Sequence, residues 1–156
     1  MGEKTMRNSI IVLFTIILAV FSCRSTGNGM GENQFIIKMT KTPCYGKCPV
    51  YSIEIDKKGL TVLEGKKNLD KIGKFQLQLP ESELKELIQA FVSSDFFQFQ
   101  DEYISKKTDL STTYITFQYD GKLKKIRDYD GAPIELKNLE KKVEMLLEKT
   151  EWEKIN

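Results

Sequence analysis

Apolar and polar side chains follow two different periods beyond residue 34. Phe35, Ile37 and Met39 alternate with Gln34, Lys38 and Thr40, and Tyr51, Ile53 and Ile55 alternate with Ser52 and Glu54. A period of two fits strands that bury one face. Asp56-Lys57-Lys58-Gly59 then turns the chain into a third strand over 60–64, with Gly59 supplying the positive φ of a hairpin. Phe75, Leu77 and Leu79 predict a fourth strand over 71–79. There the period lengthens. Leu84, Leu87, Ile88 and Phe91 recur at helical spacing, after Pro80 in the first turn and with Glu81 and Glu83 at the positive end of the dipole. Strands over 113–119 and 122–129 flank Asp120-Gly121, the strongest hairpin signal in the chain. A second helix opens at Pro133 and carries Leu136, Leu139, Val143 and Leu146 on one face, with Trp152 expected to pack just beyond its end.

The predicted order is β-β-β-β-α-β-β-α. That is an α+β fold, an antiparallel sheet of about six strands with two helices packed on one face. Residues 34–156 read as a single domain, large enough to bury a core without staples. Phe91, Phe96, Phe97 and Phe99 read as part of that core.

The N-terminal pattern is of another kind. Lys4 and Arg7 precede Ile10 to Phe21, an apolar run broken only by Thr15, which closes on Val20-Phe21-Ser22-Cys23. The uncharged stretch, 16 residues from Asn8 to Cys23, is shorter than the roughly 20 that span a bilayer as a helix. These are the three parts of an export signal over 1–22. A small residue before a cysteine at the end of such a run resembles the lipobox of bacterial lipoproteins, although Phe21 is bulkier than that pattern prefers. The resemblance implies cleavage before Cys23 and a diacylglycerol on its sulfur. Several acyl chains, at about 0.8 kcal/mol per buried methylene, make a stable anchor. Residues 24–33 contain three glycines and no aromatic side chain, the composition of a flexible tether. No acidic cluster follows Cys23. The expected location is the cell envelope, lipid-anchored, at the outer membrane facing the periplasm.

Composition narrows the chemistry. With 40% hydrophobic and 29% charged residues the chain is globular in character. Its net charge of +2 lacks the basic excess of a nucleic-acid binder. There is no histidine, which removes the commonest general base and the commonest metal ligand. No catalytic residue, metal ligand or cofactor is assigned.

The densest local signal is Thr42-Pro43-Cys44-Tyr45-Gly46-Lys47-Cys48-Pro49-Val50-Tyr51. Its C-x-G-x-C-P-x-Y pattern resembles an uncharacterised domain family of bacterial lipoproteins. The likeness continues through Asp95-Phe96-Phe97, Tyr103, Thr108-Asp109 and Asp128-Tyr129 to Gly131-Ala132-Pro133, nearly all of 35–152. It implies a fold and an envelope location, and it carries no activity.

Cys44 and Cys48 admit three readings. An exported protein meets an oxidising compartment, and Gly46 permits a tight turn between the sulfurs, which favours a structural disulfide. Closing a loop of about five residues contributes about 2 kcal/mol, a local clip. A redox-active dithiol usually has two intervening residues and a helix N-terminus beside it, whereas here there are three and a strand follows. A metal site would need two further ligands without histidine.

Tyr45, Gly46, Lys47 and Tyr51 of this segment, with Tyr103, Asp109 and Tyr129, are the candidate binding residues. Asp128 could join them in a cleft, although the plainer reading makes Asp109 a loop or turn residue and puts Asp128 at a strand end, where the chain turns toward the final helix. The paired lysines at 57–58, 66–67, 106–107 and 124–125 read as solvated rims that guard edges. The expected function is a non-catalytic binding module held at the membrane by its lipid, with an envelope protein or cell-wall polymer as partner and no nucleic acid. One alternative is a thiol–disulfide enzyme using Cys44 and Cys48. Another is a small-ligand binder with its pocket between the uncovered face of the sheet and the Tyr45–Tyr51 loop.

Overall fold

The computed structural model describes residues 35–155; the segments expected to be an export signal and a tether, and Cys23 between them, lie outside the described residues. Eight strands form one sheet: β1 (Phe35–Lys41), β2 (Val50–Asp56), β3 (Leu60–Lys67), β4 (Gly73–Gln78), β5 (Glu102–Tyr103), β6 (Thr113–Tyr119), β7 (Lys122–Asp128) and β8 (Glu153–Ile155). Two helices, α1 (Glu81–Ser93) and α2 (Ile134–Glu144), are each followed by a short 3-10 turn. The strand order is β5-β7-β6-β1-β2-β3-β4-β8. The fold is therefore α+β with two helices, and the sheet is mixed.

The six strands expected from the period-two pattern form its antiparallel centre. Two additions correct the expected count. β5 runs parallel to β7, pairing Tyr103 with Asp128, and β8 pairs antiparallel with β4, Lys74 facing Ile155. With two and three residues, neither is long enough to display a period. β8 is positioned by tertiary contact: the Trp152 indole N–H donates to the Leu146 carbonyl at 2.9 Å, just ahead of it.

One face of the sheet meets both helices. Met39 lies between Ile53 and Ile115 in register, and Ile53 faces Leu63. Leu84, Leu87 and Phe91 of α1, and Leu136, Leu139 and Val143 of α2, close over that row. The expected phenylalanine core is present: Phe91 and Phe96 are fully buried, their rings 4.9 and 5.7 Å from Phe117. The Asp120-Gly121 turn has both residues at positive φ, 49° and 71°, as the hairpin twist demands. At the opposite end of the sheet, where β3 leaves for β4, a Cβ on Gly65 would overlap the Lys71 carbonyl oxygen. No helix among the described residues is long and apolar enough to cross a membrane.

The lysine pairs do more than guard edges. Lys124 lies opposite Phe117 on the helix side and bonds Asp101 at 2.7 Å, while Lys125 sits over the Tyr114 ring on the open face. Alternation sends adjacent lysines of one strand to different faces.

Candidate functional site

β1 and β7 end, and β2 and β6 begin, at the same end of the sheet. In register, Lys41 faces Tyr51 and Thr113, and Thr113 faces Asp128. Four connections meet at this end, and backbone groups tie three of them closely together. The Thr42 N–H donates to the Thr112 carbonyl at 3.0 Å, and the Thr112 N–H to the Thr42 hydroxyl at 2.9 Å. The Ser111 hydroxyl is also spent on the Thr42 carbonyl, at 2.5 Å. Farther out, the Tyr45 N–H donates to the Asp109 carbonyl, the Leu110 N–H to the Tyr129 phenol oxygen, each at 3.3 Å, and the Tyr129 N–H to the Tyr103 carbonyl at 2.9 Å.

The cysteine segment forms the outer lip. Cys44 and Cys48 lie at disulfide distance, their Cα atoms 5.7 Å apart. The Gly46 N–H turns inward to the Cys44 sulfur at 3.2 Å, and Asn68 holds the Cys48 carbonyl at 2.9 Å. Gly46 does not take a positive φ, and a Cβ there would meet only Cys44 Sγ at an ordinary 3.8 Å. The turn between the cysteines therefore does not need its glycine, contrary to the expectation. Tyr45, at the tip, is 91% exposed.

Of the candidate binding residues, Tyr45, Gly46, Lys47 and Asp109 stand exposed on this end, and Tyr103 and Tyr129 are half-buried behind them. Tyr103 and Tyr129 act as braces, their phenol oxygens accepting the Gln100 and Leu110 N–H groups. Asp109 does take a turn conformation, with φ at 66°. Tyr51 does not belong to the surface. Its ring is buried with Ile53 and Ile55 on the helix-facing side, and its hydroxyl lies 3.5 Å from Glu144. Burial, and then the charge of Glu144, push the Tyr51 phenol far above its ordinary range.

Beneath α2, at the same end, lies a polar cluster absent from the sequence-based expectation. Lys41 bonds Glu144 at 2.9 Å. Asp128, 1% exposed, contacts the Lys137 ammonium, which also lies 3.5 Å from Glu140. Asp128 does sit at a strand end, as the last residue of β7, and it is in addition a buried member of the helix-facing row. Asp128 Oδ1 and Glu140 Oε1 receive no donor from neighbouring side chains or backbone. Burial, and then the Asp128 carboxylate, raise Glu140 to about 8, so it keeps its proton at neutral pH. Burial acts to lower Lys137, but the two carboxyls outweigh it and the ammonium titrates higher than usual. The signal was present in the periods: Asp128 follows Ile126 at the strand spacing, and Glu140 falls among Leu136, Leu139 and Val143 on the apolar stripe.

A protonated carboxyl beside a second carboxylate resembles an acid–base pair, but neither described groove is lined by Asp128 or Glu140. One groove, of about 280 Å³, runs between the helices and is lined by Leu87, Met145, Glu83 and Lys149 among others. The other, about 440 Å³, lies on the open face between Lys38, Thr40, Tyr114 and Lys125. Strands β1, β6 and β7 supply its lining, not the Tyr45–Tyr51 loop expected of a ligand pocket. Among the described residues no cluster of three or more potential ligands converges as a metal site. Nor does a helix N-terminus approach the cysteines in sequence, since the segment runs directly into β2.

A family model described as a domain of unknown function (DUF6438) matches residues 35–147, and the chain belongs to that family. The match spans all of the elements that build the loop-bearing end. No curated protein matches the chain.

Proposed function

We propose that this protein is a lipid-anchored envelope lipoprotein whose domain works as a non-catalytic binding module, using the loop-bearing end of the sheet. The observation that carries this reading is the convergence of the 42–49, 104–112 and 129–133 segments on one end, cross-tied by hydrogen bonds that backbone N–H groups donate to carbonyls and side-chain hydroxyls. Such ties hold a surface in shape before any partner arrives, which lowers the entropy lost on binding. The polar groups there are spent on structure: Ser111 on a carbonyl, Tyr103 and Tyr129 on loop amides. The anchor half of the reading rests on the apolar run and Ser22-Cys23. Phe35, where the described domain begins, is at the end of β1 away from the loops.

The anchor is tested by Cys23→Ser in the native host. The variant should move from the membrane fraction to the soluble periplasmic fraction; retention in the membrane removes the anchor. The module is tested by crosslinking in intact cells, which should recover a stable partner, whereas a measurable turnover with no partner would remove it. The thiol–disulfide alternative makes a separate demand, a reduction potential well above the roughly −300 mV of structural disulfides. Titration of Cys44 and Cys48 against graded thiol buffers distinguishes the two.

A further inference from the structure

The geometry points to an acidic protein surface with an apolar centre as the partner of the loop-bearing end. This rests on the binding-module reading above and adds the chemistry of what is bound. Large apolar side chains stand out in solvent at this end: Tyr45 is 91% exposed, Ile104 61% and Leu110 38%. They are joined by the bonds already described, Tyr45 to Asp109, Leu110 to Tyr129 and Tyr129 to Tyr103. Grouped exposure of this kind marks interaction sites more often than does scattered exposure. Tyrosine at the tip of a closed loop suits an anchor, since it supplies contact area at little entropic cost.

Charge decides the partner's sign. The four connections here, 42–49, 68–72, 104–112 and 129–133, together with Lys66 and Lys67 at the end of β3, carry six lysines against Asp70, Asp109 and Asp130, while residues 35–155 as a whole are nearly balanced. Lys107 is neutralised by Asp130 and Lys66 pairs with Glu64. Lys47, Lys67 and Lys106 have no carboxylate partner among the described residues. A surface with aspartates or glutamates around an apolar patch complements that arrangement. A polyanionic envelope polymer would satisfy the lysines but leave Ile104 and Leu110 in water, so a protein fits better.

The test places p-benzoylphenylalanine at Tyr45, at Leu110 and, as a control at the other end of the sheet, at Lys58, in the full-length protein in its host. Tyr45 and Leu110 should crosslink to the same protein through an acidic peptide. Combining Lys47→Glu, Lys67→Glu and Lys106→Glu should cut that yield at least fivefold with unchanged accumulation of the protein. A lipid or glycan adduct, different proteins from the two positions, a contact peptide without acidic residues, or a yield indifferent to charge reversal each overturns the proposal. If only Lys58 captures a partner, the loop-bearing end is wrong for both readings and only a binding role at another surface survives. If no position captures one, both fall.

Discussion

Glu140→Gln is the most informative single change. In the folded protein Glu140 keeps its proton up to about pH 8, because it is buried and faces Asp128; unfolded, it releases the proton near 4.5. Its folded-state value is raised, so its contribution to stability is fully present below about pH 4.5 and is lost as the pH climbs to about 8. At about 1.4 kcal/mol per pH unit the rise corresponds to roughly 5 kcal/mol as a ceiling. Lys137 lies close by, and local relaxation takes part of the shift, so a loss of about 2 kcal/mol between pH 5 and 8 is expected. The window is otherwise quiet. The chain has no histidine, Asp130, Glu81 and Glu151 are held below their usual range, and Lys137, Lys149 and Tyr51 titrate above theirs. The amide of the variant stays neutral throughout and can donate to Asp128. Its stability should therefore be flat from pH 5 to 8, and at pH 8 should exceed that of the native protein by about 2 kcal/mol. Trp152, the sole tryptophan, is 9% exposed and bonded to Leu146, so its fluorescence reports urea unfolding. A native protein whose stability is level or rises over this range, or a variant that keeps the native slope, would refute the account.

Three other outcomes follow from the same structure. Replacing Cys44 and Cys48 together by serine should cost no more than about 2 kcal/mol in urea and leave the far-ultraviolet spectrum unchanged, because the bridge closes only a short loop. Gly65→Ala should lower stability by about 2–3 kcal/mol, since its Cβ meets the Lys71 carbonyl, while Gly46→Ala should stay within about 0.5 kcal/mol; paired thermal melts compare them. Lys137→Met removes the ammonium between two buried carboxyls and should cost about 2 kcal/mol at pH 7, after allowance for its partial exposure, as read from the shift in urea midpoint.

Much of the architecture was legible because it is local. Alternation at spacing two and recurrence at spacing three to four are written in neighbouring residues, so six strands, both helices and the Asp120-Gly121 turn could be read from the chain alone. The same periods already put Tyr51 with Ile53 and Ile55, and Asp128 with Ile126, on an inward face. What alternation cannot say is what the facing layer brings. The pairing of Asp128 with Lys137 and Glu140 exists only because α2 crosses the end of β7, and the proton on Glu140 exists only because that crossing shuts out water. Likewise β5 and β8 are strands because edges of the sheet were available to them, not because of their own residues. The meeting of Tyr45 with Asp109 is of the same kind: irregular segments carry no period, and β1 and β6 become neighbours only when the sheet assembles. Local preference is a property of adjacent residues. The contacts that make the candidate site depend on how layers and loops pack, and only the folded chain supplies that.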